Sequence, residues 1–466
     1  MSDAAEREVK VLESGLGDFS VEARRSALRR LKELASKGAA RIQPMQPVSN
    51  LHAHSFFSYN AYGYSPCRIA WEAYKRGLEV TGIVDFDVLH GVGEILEAGD
   101  ILGLKTTAGV ETRVYIGEFA DREINSPGEP GVFYLMGLGF WRLPDPGSDA
   151  ARILTDMFER ARRRNIEMME KINRRLGEVR IDYERDVLSL VPSNNATERH
   201  LLAAYDRKAR EVFTDAGDLA RFWARALGLS LEESAALLGD TARLHETARA
   251  RLMKRGGVGY AAPDAESFPR MEAVNAMTLE CGAMPTATWL DGTSAGEKDT
   301  ERFLEFFIDR SIMVLQIIPE RNWNIKDPKQ KAAKTAKLDE VVRAVRALAL
   351  PIVVGTEMNK PGQPFADNFE TPELSPYAAD FARGARFVYG HTVLGRYAGF
   401  GAASAAARSL FGADRAARQA FYTEAGSYEP PDGAVRDQLC AAAGEGKPGK
   451  LLEIVSRGRS RLTSRF

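Results

Sequence analysis

Between residues 48 and 140 a short apolar run repeatedly ends in a polar cluster, a helix-like segment follows, and another apolar run begins. Val48–His54, Val80–Val84, Thr106–Glu111 and Val132–Phe140 are the runs. Strand, helix and strand at this spacing predict βαβ units, hence parallel strands. Their polar ends then gather on one rim of a β/α barrel. The first run closes on His52-Ala53-His54, two imidazoles on one face because side chains at i and i+2 point the same way along a strand. The second run is followed by Asp85-Phe86-Asp87 and the third ends in Gly109-Val110-Glu111. Neutral imidazoles joined by carboxylates suit zinc, manganese or iron, so His52, His54, Asp85 and Glu111 are candidate ligands of a hydrolytic metal site. Asp87 has a competing role as a cap of the following helix.

The rest of the chain organises around that stretch. Residues 1–45 read as two amphipathic helices, the second capped by Asp18 or Ser20 and ended by Gly38. Arg24 interrupts the apolar stripe of the second, and the basic side chains there read as a solvated face. Ser65-Pro66 starts a helix and Gly77 stops it; another spans Gly91–Gly103. From Ala150 to about Cys281 the pattern is helical and too long for a barrel loop, which predicts an insertion covering the rim. Strands resume at Ala283–Leu290, Met313–Ile318 and Pro351–Val354, separated by a helix at about 329–349, making seven strands. The expected divisions are an N-terminal helical extension (1–45), the two barrel halves (46–145 and 281–400), the insertion (146–280) and a helical tail (401–466). Arg321-Asn322 and His391 follow apolar runs and are candidates to face substrate from the rim.

Composition excludes several classes. A net charge of −1 leaves no global basic field for nucleic acid. Cys67, Cys281 and Cys440 are widely spaced, which argues against a disulfide framework and suits a reducing cytoplasm. No apolar run approaches the roughly 20 residues needed to cross a bilayer. The expected partner is a small molecule, in the cytoplasm and away from membranes; the oligomeric state is not legible.

His52-x-His54, Ser65-Pro66, Gly77-Leu78, Gly82-Ile83-Val84-Asp85, Gly91 and Gly109-Val110-Glu111, in this order, resemble the PHP (polymerase and histidinol phosphatase) domain, in its stand-alone branch. The match covers about residues 48–140. The resemblance implies a distorted (β/α)7 TIM-like barrel, here with a large helical insertion and N-terminal helices. It also implies divalent metal at the strand ends and hydrolysis of a phosphoester by metal-activated water. It extends to Gly355-Thr356-Glu357-Met358-Asn359, where Glu357 would stand in for an aspartate ligand and Asn359, in place of a histidine, would face substrate. Thr197-Glu198-Arg199-His200 resembles a segment that reaches over the site in some members, giving Arg199 and His200 as catalytic candidates; the alternative is a helix start capped by Asn195 or Thr197.

Three departures thin the ligand set. Phe86 stands where members carry a histidine, Tyr134-Leu135 occupies another such place, and Asn359 the third. His90 is a possible substitute, with helix entry as its competing role. The expectation is one or two ions (Zn, Mn or Fe) and a phosphoesterase acting on a small phosphorylated metabolite. The alternatives are a metal-dependent amide or lactone hydrolase, or a degenerate PHP module that binds without turnover.

Overall fold

The computed structural model describes residues 3–444 and 447–457. Helices α1 (Asp3–Gly15) and α2 (Val21–Ser36) precede the sheet. Ser20 caps α2 by accepting the Ala23 N–H at 3.3 Å. Strands β1 (Gln46–Ala53), β2 (Leu78–Phe86), β3 (Lys105–Tyr115), β4 (Val132–Leu138), β5 (Met284–Trp289), β6 (Val314–Ile317) and β7 (Ile352–Val354) form one sheet in chain order. Helices α3 (Pro66–Lys75) and α4 (Val92–Leu102) connect the first three strands. Ser65 caps α3 with Pro66 in its first turn, and Gly77 ends it at φ 65°, where a Cβ would lie 2.2 Å from the Pro44 carbonyl oxygen.

The fold is a distorted α/β barrel with helical insertions. The sheet closes just past β7, where Glu357 N–H donates to the His52 carbonyl and His54 N–H donates to the Glu357 carbonyl, each at 2.8 Å. The expectation of parallel strands fails at β4, which runs antiparallel to both β3 and β5. Apolar periodicity is the same for either direction, so it does not reveal this reversal. The reversal has a large consequence. Because β4 starts at the rim and ends at the barrel's opposite end, the helix that follows begins at the bottom. That helix, α5 (Asp149–Leu176), has 28 residues and is about 42 Å long, enough to climb the wall and pass the rim. Above the rim it packs with α6 (Glu198–Val212), α7 (Ala216–Leu227), α8 (Leu231–Leu238) and α9 (Thr241–Ala248) around a separate apolar cluster that includes Ile172, Leu201, Tyr205 and Trp223. α10 (Met271–Glu280) lies against α5 and leads back to the start of β5.

Helix α11 (Thr300–Ile308) joins β5 to β6; α12 (Glu320–Trp323) and α13 (Pro328–Ala347) join β6 to β7. α14 (Ala378–Ala398) crosses the bottom, where Val388, Tyr389, Val393 and Leu394 meet the inward residues Leu51, Val80, Val84 and Met136. α15 (Ala405–Phe411), α16 (Arg415–Ser427), α17 (Gly433–Ala441) and α18 (Pro448–Arg457) pack beyond it. Among the described residues no helix is long and apolar enough to cross a membrane, and Cys67, Cys281 and Cys440 are all free thiols.

Arg24 does not join a solvated face. It is 1% exposed, and its Nε donates to Glu94 Oε1 of α4 at 2.8 Å while Nη1 donates to the Asp18 carbonyl at 2.6 Å. The break in the apolar stripe is therefore a buried ion pair that fixes α2 on the barrel. Removing one partner of such a pair leaves an uncompensated buried charge, at a cost of roughly 3–5 kcal/mol. Arg24→Ala is expected to lower unfolding stability by that amount in urea titrations, and the double substitution Arg24→Leu/Glu94→Leu by clearly less. Equal losses would show that the pair is not the fastening.

Candidate metal centre

His52 is the penultimate residue of β1, His54 lies just past its end, and Glu111 faces them from β3. All three are nearly or fully buried. Glu111 Oε2 lies 3.4 Å from His52 Nε2 and 3.4 Å from His54 Nε2. None of these three atoms has a hydrogen-bond partner among the described residues. One ligand atom from each side chain lies within 4.8 Å of the others, the single such convergence of three or more His, Cys, Asp or Glu groups among the described residues.

Polar atoms buried without partners are expensive, commonly about 1–3 kcal/mol each and more when charged. Three of them within 4.8 Å of one another could hold a positive centre. The electrostatics agree. Burial works against charge on Glu111, yet the imidazoles of His52 and His54 hold its carboxyl down at about 2. Burial likewise opposes charge on His52, but Glu111 raises its imidazole above the usual range. The donor set fits a divalent cation.

Asp85 acts behind this trio and not within it. Its Oδ1 accepts the Ser55 N–H at 2.8 Å and the Ser58 hydroxyl at 2.7 Å, and its Oδ2 accepts the Ser55 hydroxyl at 2.7 Å. With its proton committed to Asp85, the Ser58 oxygen is left to accept from His54 Nδ1 at 3.3 Å. That chain favours the tautomer with the hydrogen on Nδ1, in which Nε2 would offer its lone pair to a bound cation. Phe86 stacks on His54, ring centres 4.3 Å apart and planes 19° from parallel, and sits opposite Glu111 in the β2–β3 register. Where a further ligand was expected, the chain places an apolar wall.

Glu357 reaches the same pocket but is occupied by Arg321, whose Nη2 lies 3.2 Å and 3.3 Å from its two oxygens. Asn359 lines the pocket with its Oδ1 buried and unpaired. Asp87, at φ 60°, caps no helix; it accepts the Thr112 hydroxyl at 2.5 Å, and burial raises its carboxyl. His90 is exposed and precedes Gly91, the residue that opens α4, which is the helix-entry role.

Several candidates belong elsewhere. His200 is the third residue of α6, where its Nδ1 accepts the Thr197 N–H at 3.0 Å in a capping box; burial holds its imidazole down at about 3. Thr197 is thus the helix cap, and Asn195 instead donates to the carbonyls of Phe57 and Phe86, tying the insertion to the rim. Arg199 does line the pocket, though its guanidinium donates to Glu246 at 2.6 Å. Asn322 is fully buried and donates to the Lys334 carbonyl, away from the pocket. His391 lies at the opposite end of the barrel, bonded to the Gly139 carbonyl at 3.1 Å and the Ala402 N–H at 2.8 Å.

The pocket holds about 550 Å³ between rim and insertion. Residues that sequence reasoning missed line it: Gln316 on β6, Arg113 on β3, and Arg164, Arg249 and Lys254 from the insertion. Gln316 had a signal, a lone amide in an apolar strand, and Arg113 another, two residues beyond Glu111 on the same face. The insertion's cations had none, because their approach to the rim depends on tertiary packing.

No family model and no curated protein matches the chain. Solved structures similar to it include an amidohydrolase from Chromobacterium violaceum with bound sulfate and no metal. It is 16% identical with a TM-score of 0.43, covering 70% of this chain and 96% of that one. Another is described as a "putative metal-dependent phosphoesterase" from Bifidobacterium adolescentis, 16% identical with a TM-score of 0.43, covering 73% of this chain and 98% of that one.

The hydrogen-bonded chain behind His54 makes a direct prediction. Ser58→Ala is expected to keep the fold, at a cost of about 1–2 kcal/mol. It should weaken zinc or manganese binding by about 10–100-fold, because the orienting partner of a ligand histidine is lost. Competition titration against a chromogenic chelator measures it, and unchanged affinity would remove Asp85 and Ser58 from the site.

Proposed function

We propose that this chain is a metal-dependent hydrolase of the PHP type, most simply a phosphoesterase acting on a small phosphorylated molecule. The observation that carries the reading is the convergence of His52 Nε2, His54 Nε2 and Glu111 Oε2, buried and without hydrogen bonds among the described residues, with Glu111 lining a pocket rich in cations. These three side chains would hold the ion. A divalent cation there supplies a lowered pKa for water and polarisation of a phosphoryl or carbonyl oxygen, so amide and lactone chemistry belongs to the same class.

The chain's own residues do the rest. Glu111 stays ionised beside the imidazoles. Asp85, through Ser58, keeps the His54 lone pair aimed inward. Phe86 closes one side to water. Arg321, in contact with Glu357, presents a planar donor fork at the pocket wall suited to an oxyanion. Because Glu357 is held by Arg321, the ligand set favours one ion, with a second requiring that pair to part.

A second reading is a PHP module that binds its ligand without turnover. Phe86 against His54 favours it, since that ring fills the place of a ligand. Metal analysis of protein purified without chelator, followed by p-nitrophenyl phosphate hydrolysis with added Mn²⁺ or Zn²⁺, separates the two. The hydrolase is expected to carry about one equivalent of metal, and His54→Ala less than about 0.2 with at least a roughly 100-fold loss of turnover and an unchanged far-UV spectrum. Full metal occupancy without turnover on any phosphoester, amide or lactone would favour the binding module. Wild-type protein with no metal and no gain on adding it would overturn the metal site itself.

A further inference from the structure

The pocket contains a second constellation that the metal centre does not use. Arg113 follows Glu111 by two residues on β3, so both side chains leave the same face about 7 Å apart along the strand. Arg164 descends from α5 to the same place. The two guanidinium carbons lie 4.6 Å and 4.5 Å from the ring centre of Phe268, so one aromatic ring contacts both.

Arg164 is the less satisfied of the two cations. Among the described residues Arg164 has no carboxylate within ion-pair distance, and its Nη1 donates to the Ser267 carbonyl at 2.7 Å. Arg113 has a single carboxylate contact, Glu129 Oε2 at 3.4 Å, and that oxygen already accepts the Ser126 hydroxyl at 2.6 Å. Asp87 lies near both, and its Oδ1 accepts the Thr112 hydroxyl. Burial and the neighbouring Arg113 push the Arg164 guanidinium down to about 10, with Asp87 and Glu129 offsetting only part of this. By contrast, the neighbouring Arg249 and Lys254 are both satisfied by Glu198.

We propose that Arg113 and Arg164 form an oxyanion-binding subsite beside the His52–His54–Glu111 centre, so that the substrate carries a second anionic group, a carboxylate or phosphate, apart from the bond that is cleaved. The substrate assignment rests on the hydrolase reading; the subsite itself does not. Guanidinium forks match carboxylate and phosphate oxygens in pairs, and the pocket's volume suits a small metabolite with two charged ends. The insertion then has a chemical task. It carries Arg164 over the barrel and completes a site of which β3 supplies only half.

The test uses the full chain treated with chelator, titrated calorimetrically with inorganic phosphate and separately with malonate. Wild type and His54→Ala are expected to bind with the same affinity, because the subsite is independent of the metal ligands. Arg164→Gln and Arg113→Gln should each weaken binding by about tenfold or more, the value of a charged hydrogen bond. Arg343→Gln, an exposed cation elsewhere, should change nothing. Arg164→Lys keeps the charge and loses the fork, and an intermediate loss would support the subsite even where Arg164→Gln folds poorly. The tighter of the two anions identifies the group, and either preference supports the proposal. It is overturned if wild type binds neither anion, if Arg113 and Arg164 variants bind like wild type, or if binding is lost only in His54→Ala. Protein that binds phosphate through Arg164 yet takes up no metal would retain the subsite and lose the hydrolase reading.

Discussion

The barrel closes through two hydrogen bonds, and the site depends on both. Glu357 N–H to the His52 carbonyl and His54 N–H to the Glu357 carbonyl replace the ladder that β7, only three residues long, would otherwise leave unfinished. The same contacts fix the backbone on either side of the two histidines. They also demand a close approach: a Cβ on Gly355 would lie 2.3 Å from the His52 Cβ, so glycine is the residue that lets the strands meet. Glu357 and Met358 pay for the turn with φ values of 61° and 56°, left-handed backbone that costs a non-glycine residue about 1–2 kcal/mol. Strain of this kind persists only where surrounding contacts enforce it, and here they are the contacts that close the sheet.

Closure also sets the electrostatics. It buries Glu111 beside the two imidazoles, which favour its charged form against burial, and leaves the three ligand atoms, with Glu111 Oε2 at 3.4 Å from each imidazole Nε2, without a hydrogen bond among the described residues. Glu357 enters the pocket from the closing turn, but Arg321 neutralises it, which separates the two carboxylates functionally although they share a cavity. Positive charge is abundant on the insertion side of the same pocket, paired there with Glu198 and Glu246.

Much of this was legible in residue order. The first four strands, the proline and glycine stops around α3 and α4, and the His52–His54–Glu111 grouping follow from periodicity and side-chain chemistry, which are local; the later strands rest on the family resemblance as well. What was not legible depends on direction and on distance through space. An antiparallel β4 has the same alternation as a parallel one. Arg24 looks like a surface cation until Glu94, 70 residues away, is brought against it. His200 and His391 follow the rule that polar residues near helix or strand ends are candidates, yet one serves a helix cap and the other the bottom plug. Asp85 was placed on the correct rim, but the two serines that consume its oxygens lie in a loop whose path periodicity does not describe.

The reversed strand and the pocket's cations are one consequence of topology. With β4 parallel, the chain would leave it at the rim, and a helix following it would run down the outside toward the bottom. With β4 antiparallel, α5 starts at the bottom and has to climb, so residues midway along it, Ala161 and Arg164 among them, pass the rim as pocket wall. Its final turns, including Ile172 and Leu176, then anchor the insertion's own core. The insertion is therefore tied to the barrel at both ends: at the base through α5 and α10, and at the rim through Asn195 on the carbonyls of Phe57 and Phe86. A cap held at both ends places its cations with the precision of a wall. Arg164 can accordingly be paired with Arg113 across two separate apolar cores, as neither core could arrange alone.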